Sequence, residues 1–297
     1  MTHKSEKRLF VAIGILASLG LILMFGYLKR QDLRERYDRW RLGPLPAEMT
    51  FNDAFPSYQP PSVETPPAEA AAPVAPPPNF RPPTAPPPAP AVAPTPEAVK
   101  PTTATAALPA EANLKVIFIP QAPFKIWDAI HDDACEEAAV LMLQAYVNRE
   151  TSLSLEEMDR RILDLVQYQN DTLGYFESTD AATTVQFMRD RLNLPNARAV
   201  ALTSPDDIRR QIVAGHPVAL PTDGRALKNP NFRNGGPVYH MVVVKGFMKD
   251  KFITNDPGTR KGADYVYDAK LLWGAIADYR LATDTVDNKA KYMILAE

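Results

Sequence analysis

The chain has 297 residues, of which 45% are hydrophobic and 23% charged, with a formal net charge of −2. That length accommodates one or two globular domains, and the near balance of charge removes the electrostatic case for nucleic-acid binding. A single cysteine, Cys135, excludes an intramolecular disulfide and a multi-cysteine zinc cage.

Residues 1–8 form a short tail ahead of an uncharged run from Leu9 to Leu28, LFVAIGILASLGLILMFGYL. About 20 residues at roughly 1.5 Å each match a hydrocarbon core of about 30 Å, which predicts a transmembrane helix over 9–28. No small-residue cleavage pattern follows it, so the span reads as a retained anchor and not as a signal peptide. A basic segment, 29–43, comes next. Its arginines and Lys29 outnumber Lys4, Lys7 and Arg8 ahead of the span, a count that by itself puts the C-terminal side in the cytoplasm. The signal-anchor layout and the long spacer that follows point the other way. We adopt a single-pass cell-membrane protein whose domain is extracytoplasmic.

Residues 44–112 read as a Pro/Ala-rich linker, since 21 of the 30 prolines fall between Pro44 and Pro109 and no glycine does. Proline fixes φ and removes amide donors, so the expectation is an extended stalk; a ligand for a proline-reading module is the alternative. The remaining 113–297 have ordinary globular composition and the size of one domain. Here the pattern predicts a β-rich start over Leu114 to Ile119 and a buried apolar helix from Cys135 to Asn148. A helix capped by Ser154 and Glu157 runs to Gln167, another covers Asp180 to Leu192, and a third opens at Ser204 and Pro205 and closes at Gly215. Short β-rich runs follow at Pro217 to Pro221, His240 to Phe247, Phe252 to Asp256, Asp264 to Tyr267 and Tyr292 to Leu295. Helices first and strands later make an α+β domain.

The chemistry-bearing residues are a thiol, an imidazole and a carboxylate. Cys135 opens the apolar helix, where the helix dipole favours thiolate, while Glu136 and Glu137 beside it push the thiol pKa upward. A buried structural cysteine is the plain alternative. His240 begins the strand HMVVVKGF, and a polar ring at the mouth of an apolar strand needs a partner. Asp256 ends FITNDPG across a short turn. Ideal hairpin register sets Asp256 opposite Val243 or Val244 and not His240, which leaves Asn255 as a substitute for the third position. Trp127, Tyr239, Tyr265 and Trp273 line a cleft or belong to the core. A metal set of Cys135, His131, Asp132 and His240 matches no compact zinc signature, so neither metal nor cofactor is expected.

The segments IPQAPFKIWDAIHDDACEEAAVLML, PVALP, GGPVYHMVVVKGF and FITNDPGTRKG resemble the papain-like cysteine peptidases related to the bacteriocin-processing, double-glycine-leader peptidases, and most of all their stand-alone relatives that lack a transporter. The resemblance spans about Ile117 to Leu272. It implies a papain-like fold, Cys135 as nucleophile, His240 as general base and acid, Asp256 orienting the imidazole, and Gln121 as an oxyanion donor beside the Cys135 amide. Gln121 stands fourteen residues before Cys135, farther than in the best-known members, and Glu136 replaces their glycine. The function implied is hydrolysis of a peptide or protein substrate through an acyl-enzyme. An inactive peptide- or cell-wall-binding module of the same fold and a thiol-dependent acyltransferase are the alternatives. Trp127, Tyr239 and Asn255 are the candidate substrate-binding residues.

Overall fold

The computed structural model describes residues 36–37, 39–56 and 107–296. The predicted span over 9–28 lies outside them, and among the described residues no helix is long and apolar enough to cross a membrane. The chain divides into two compact units, 1–45 and 46–297. In the first, Tyr37 and Trp40 stand with ring centres 5.9 Å apart.

The second unit carries the fold. Its central helix, α2 (Cys135–Val147), is apolar nearly all round and buried along almost its whole length, as a helix sandwiched in a core must be. Three further helices follow: α3 (Leu155–Thr172), which packs directly against it, α4 (Ala181–Arg191) and α5 (Pro205–Val213). Each start has a chemical cause. Ser154 Oγ accepts the Glu157 N–H, Asp180 accepts the Thr183 N–H, and Ser204 with Asp207 forms a reciprocal capping box behind Pro205. The box expected at Ser154 is only half made, because the Glu157 carboxylate turns to Arg160 and Arg161.

The strands form one antiparallel seven-stranded sheet. Its order is β2 (Arg198–Ala201), β9 (Tyr292–Leu295), β3 (Val218–Asp223), β4 (Tyr239–Met248), β5 (Lys251–Asn255) and β6 (Tyr265–Asp268). Strand β1 (Glu111–Asn113) pairs with the far half of β4. Gly246 permits this: a Cβ there would lie 2.6 Å from the Ala112 carbonyl oxygen. A short helix, α6 (Ala269–Ala275), and a separate hairpin, β7 (Asp278–Arg280) with β8 (Thr285–Asp287), complete the unit. The mixed helix and antiparallel-sheet architecture is the α+β class expected. The strand expected over Leu114 to Ile119 is displaced to Glu111–Asn113.

The linker expected over 44–112 begins and ends differently. Residues 46–56 are folded onto the domain. Met49 bridges Leu114, its N–H donating to Asn113 O at 2.8 Å and its carbonyl accepting from Lys115 N at 2.7 Å. Thr50 and Asp53 cap a one-turn helix, α1 (Phe51–Ala54), and Phe51 and Phe55 pack on Tyr146 and His216. Lys245, buried at a bulge in β4, pairs with Glu48 and with Asp264 at 2.7 Å. Because Met49 and Leu114 touch, the segments before and after 57–106 are both held on the domain. The stalk expected within 57–106 lies outside the described residues.

Candidate active site

The site forms where the N-terminus of α2 abuts the start of β4. A cavity of about 560 Å³ opens there, and Gln121, Trp127, Cys135, Tyr239 and His240 all line it. Asp256 lies behind His240. The fold thus gathers residues from four separate segments of the sequence, and register is what brings the last of them in. The bulge at Lys245 sets Val243 against Asn255 and so carries Asp256 opposite Val242, one residue nearer to His240 than an unbroken ladder allows.

His240 and Asp256 make the central contact: Nε2 donates to Oδ1 at 2.8 Å, with both side chains almost wholly buried. The Gly258 N–H also donates to Oδ1, at 3.1 Å. The other carboxylate oxygen, Oδ2, accepts from Tyr267 OH at 2.6 Å and from Asn229 Nδ2 at 2.9 Å. Burial alone raises the pKa of such a carboxyl, but the His240 charge and these donors outweigh it and hold Asp256 below its usual value. Around the ring, Phe232 sits edge-on at 5.1 Å, and a Cβ on Gly258 would approach His240 Cε1 to 2.7 Å. Thr222 Oγ1 donates to the His240 carbonyl at 2.8 Å. The ring is therefore fixed on every side that the protein offers, and Nδ1 is the nitrogen that Asp256 leaves open.

Cys135 occupies the first position of α2, whose N-cap, Ala134, supplies no side-chain cap. The helix N-terminus does not win the contest over its protonation. Burial pushes the thiol up first, and the charge and hydrogen bond of Glu136 and the charge of Glu137 add to it; the Met241 N–H, one residue past His240, opposes them. In this arrangement the thiol donates to Glu136 Oε2 at 2.8 Å.

Two of the expected site residues, Gln121 and Asn255, are engaged elsewhere in the structure. Gln121 lines the cavity, but its amide nitrogen donates to the carbonyls of His131 at 2.8 Å and Asp132 at 3.0 Å. Both N–H bonds are thus spent on the loop before Cys135, and in this conformation it offers no oxyanion donor. Asn255 is no part of the cavity. Its Nδ2 donates to Val116 O at 3.1 Å and Ile117 O at 3.2 Å, and its Oδ1 accepts the Asp264 N–H, so it laces a ladderless segment to β5. His131, from the metal set put aside above, sits between Asp128 at 2.8 Å and Asp159 at 3.0 Å. Trp127 and Tyr239 do face the cavity; Arg233 lies over the Trp127 ring, and Tyr239 OH donates to Thr179 O at 2.8 Å. Sequence reasoning missed Asn229 and Tyr267. A buried carboxylate of the type assigned to Asp256 demands donors, yet nothing in the spacing says which residues supply them.

A model of the Peptidase_C39-like family matches residues 113–282. No curated protein matches the chain. Among the solved structures similar to it is that of a provisionally named C39-like peptidase from Bacillus anthracis, 16% identical, covering 63% of this chain and 98% of that one with a TM-score of 0.40. The family match suggests a cysteine peptidase, and since it spans more than half of the sequence, the chain belongs to the Peptidase_C39-like family.

Proposed function

We propose that the protein is a cysteine peptidase in which Cys135, His240 and Asp256 act as a triad. The reading rests above all on the buried His240–Asp256 pair at the wall of the cavity that Cys135 enters. With Nε2 held by Asp256, Nδ1 takes the thiol proton as sulfur attacks the peptide carbonyl, then returns it to the leaving amine; water resolves the acyl-enzyme. The Cys135 N–H, in the uncapped first turn of α2, is the donor available to the developing oxyanion. In the same reading the 9–28 segment anchors the enzyme in the cell membrane with the domain outside the cytoplasm, acting on a peptide or protein substrate.

The test is incubation of the full-length protein with a peptide library, read by product mass, with and without an added amine. Hydrolysis that Cys135→Ala and His240→Ala each reduce by at least about a thousandfold is expected. Hydrolysis surviving Cys135→Ala would overturn the proposal. Peptide binding without product would identify the non-catalytic module, and products carrying the amine would identify an acyltransferase.

A further inference from the structure

One wall of the cavity beside Cys135 is built from acceptors. Asp132 and Asp133 stand in the loop that leads into α2, and Glu177 reaches the same wall from the segment between α3 and α4. Gln121 lines it too. That residue is 3% exposed, and with both N–H bonds spent its Oε1 accepts no hydrogen bond among the described residues. A buried acceptor of this kind calls for a donor. The Asp133 carboxyl likewise has no hydrogen-bond or ion-pair partner among the described residues. Burial, then the charges of Asp132 and Glu177, push it up to about 6, and no cation opposes them. At pH 7 it is still mainly ionised. Arg260 and Lys261 line the cavity from the loop between β5 and β6, but neither acts on Asp133.

One cation does reach this wall, and it is the protein's own. Arg233, in the loop between β3 and β4, pairs with Asp132 and lies over the Trp127 ring, its Cζ 5.3 Å from the ring centre. The loop itself is held elsewhere, with Phe232 edge-on against His240 and Asn229 donating to Asp256. Only a side chain carries the guanidinium to the wall, and it is 64% exposed against 47% for Asp132. An ion pair so open to water contributes little, and a guanidinium over a partly exposed ring adds only modestly. A cation on a peptide can therefore displace it at small cost, and in doing so meets Asp133, Glu177 and Gln121 Oε1, which Arg233 leaves without a cation. We propose that this wall is the subsite for a basic side chain, lysine or arginine, of the peptide substrate, and that Arg233 occupies it in the resting protein. The proposal deepens the peptidase reading above and rests on it.

The test is equilibrium capture of peptides from a random library of fixed length by the full-length Cys135→Ala protein, with the bound fraction sequenced by mass spectrometry. It needs no turnover. Lysine and arginine should be enriched over glutamine in the bound peptides at least about fivefold, the equivalent of about 1 kcal/mol. Combining Asp132→Asn, Asp133→Asn and Glu177→Gln should abolish the enrichment, and Arg233→Ala should increase it by removing the resident cation. The inference is overturned by an absence of enrichment, by enrichment that survives loss of all three carboxylates, or by an Arg233→Ala protein that shows no increase. All three carboxylate side chains are exposed, so the combined variant is expected to fold; if it does not, Arg233→Ala alone still decides. Absence of any product from the native chain, or hydrolysis surviving Cys135→Ala, counts instead against the peptidase reading and leaves the capture result to support or refute the cation subsite by itself.

Discussion

Tyr267→Phe removes one hydroxyl from the buried cluster behind His240 and leaves the ring that packs there. The lost bond, 2.6 Å from Tyr267 OH to Asp256 Oδ2, is a donor to a fully buried carboxylate. Hydrogen bonds to charged groups contribute about 1.5–3 kcal/mol. Asn229 Nδ2 remains on the same oxygen and Gly258 N on the other, so the cost should fall within that range and short of unfolding the domain. The pH dependence carries the stronger test. In the folded state, despite the opposing effect of burial, the Asp256 carboxyl is held below its ordinary value by the His240 charge and its donors. A carboxyl depressed on folding contributes stability that is present above its unfolded pKa and lost as pH falls through the folded value. Losing a donor shrinks the depression. The difference between native and Tyr267→Phe proteins should accordingly be full at pH 7 and decline as the solution is acidified below about pH 4. Urea unfolding at pH 7 and at two or three values between 5 and 3 measures it. An equal loss at every pH would refute the reasoning, because it would mean that the hydroxyl serves packing and not the charge on Asp256.

Gly258→Ala places a methyl carbon 2.7 Å from His240 Cε1 and 3.0 Å from Phe232 Cε1; overpacking of this kind costs about 1–3 kcal/mol, and we expect kcat to fall more than tenfold while thermal melting still shows one cooperative transition. Asn255→Ala strips donors from Val116 O and Ile117 O, so it should lower stability by about 1–3 kcal/mol and leave KM for any peptide unchanged, whereas a substrate contact would raise KM. Excising most of 57–106 and closing the gap with a short flexible linker shortens a loop whose ends are both fixed to the domain; by loop-closure entropy this raises stability by about 1–2 kcal/mol. A free stalk carries no such entropy, and an unchanged urea midpoint would favour it.

The proline count drew the linker boundary too far in both directions, and the sequence already held the contrary signal. MTFNDAF places apolar Met49, Phe51 and Phe55 around a Thr50 and Asp53 cap, which is a helix start and not a spacer. The helices and most strands of the domain were legible because period and caps are local properties. Register was not: the bulge at Lys245 is stabilised by Glu48 and Asp264, one nearly two hundred residues away in sequence, and no inspection of HMVVVKGF discloses it. The neighbours of Asp256 share that difficulty, since Asn229 and Tyr267 reach it from a loop and from β6.

Cys135 shows most plainly what a sequence withholds. Its neighbours, a helix start on one side and two glutamates on the other, argue in opposite directions, and their strengths depend on how much water each group retains. An exposed Glu136 would be screened, leaving the helix terminus to favour thiolate. In the folded chain burial of the thiol itself raises its pKa first, Glu136 and Glu137 add to that from within the same buried environment, and the balance reverses. The same two-residue spacing is thus compatible with a primed nucleophile or a restrained one, and the choice between them is made by the packing of α2 against β4 and the segment around Thr179, not by the identity of the residues beside the thiol.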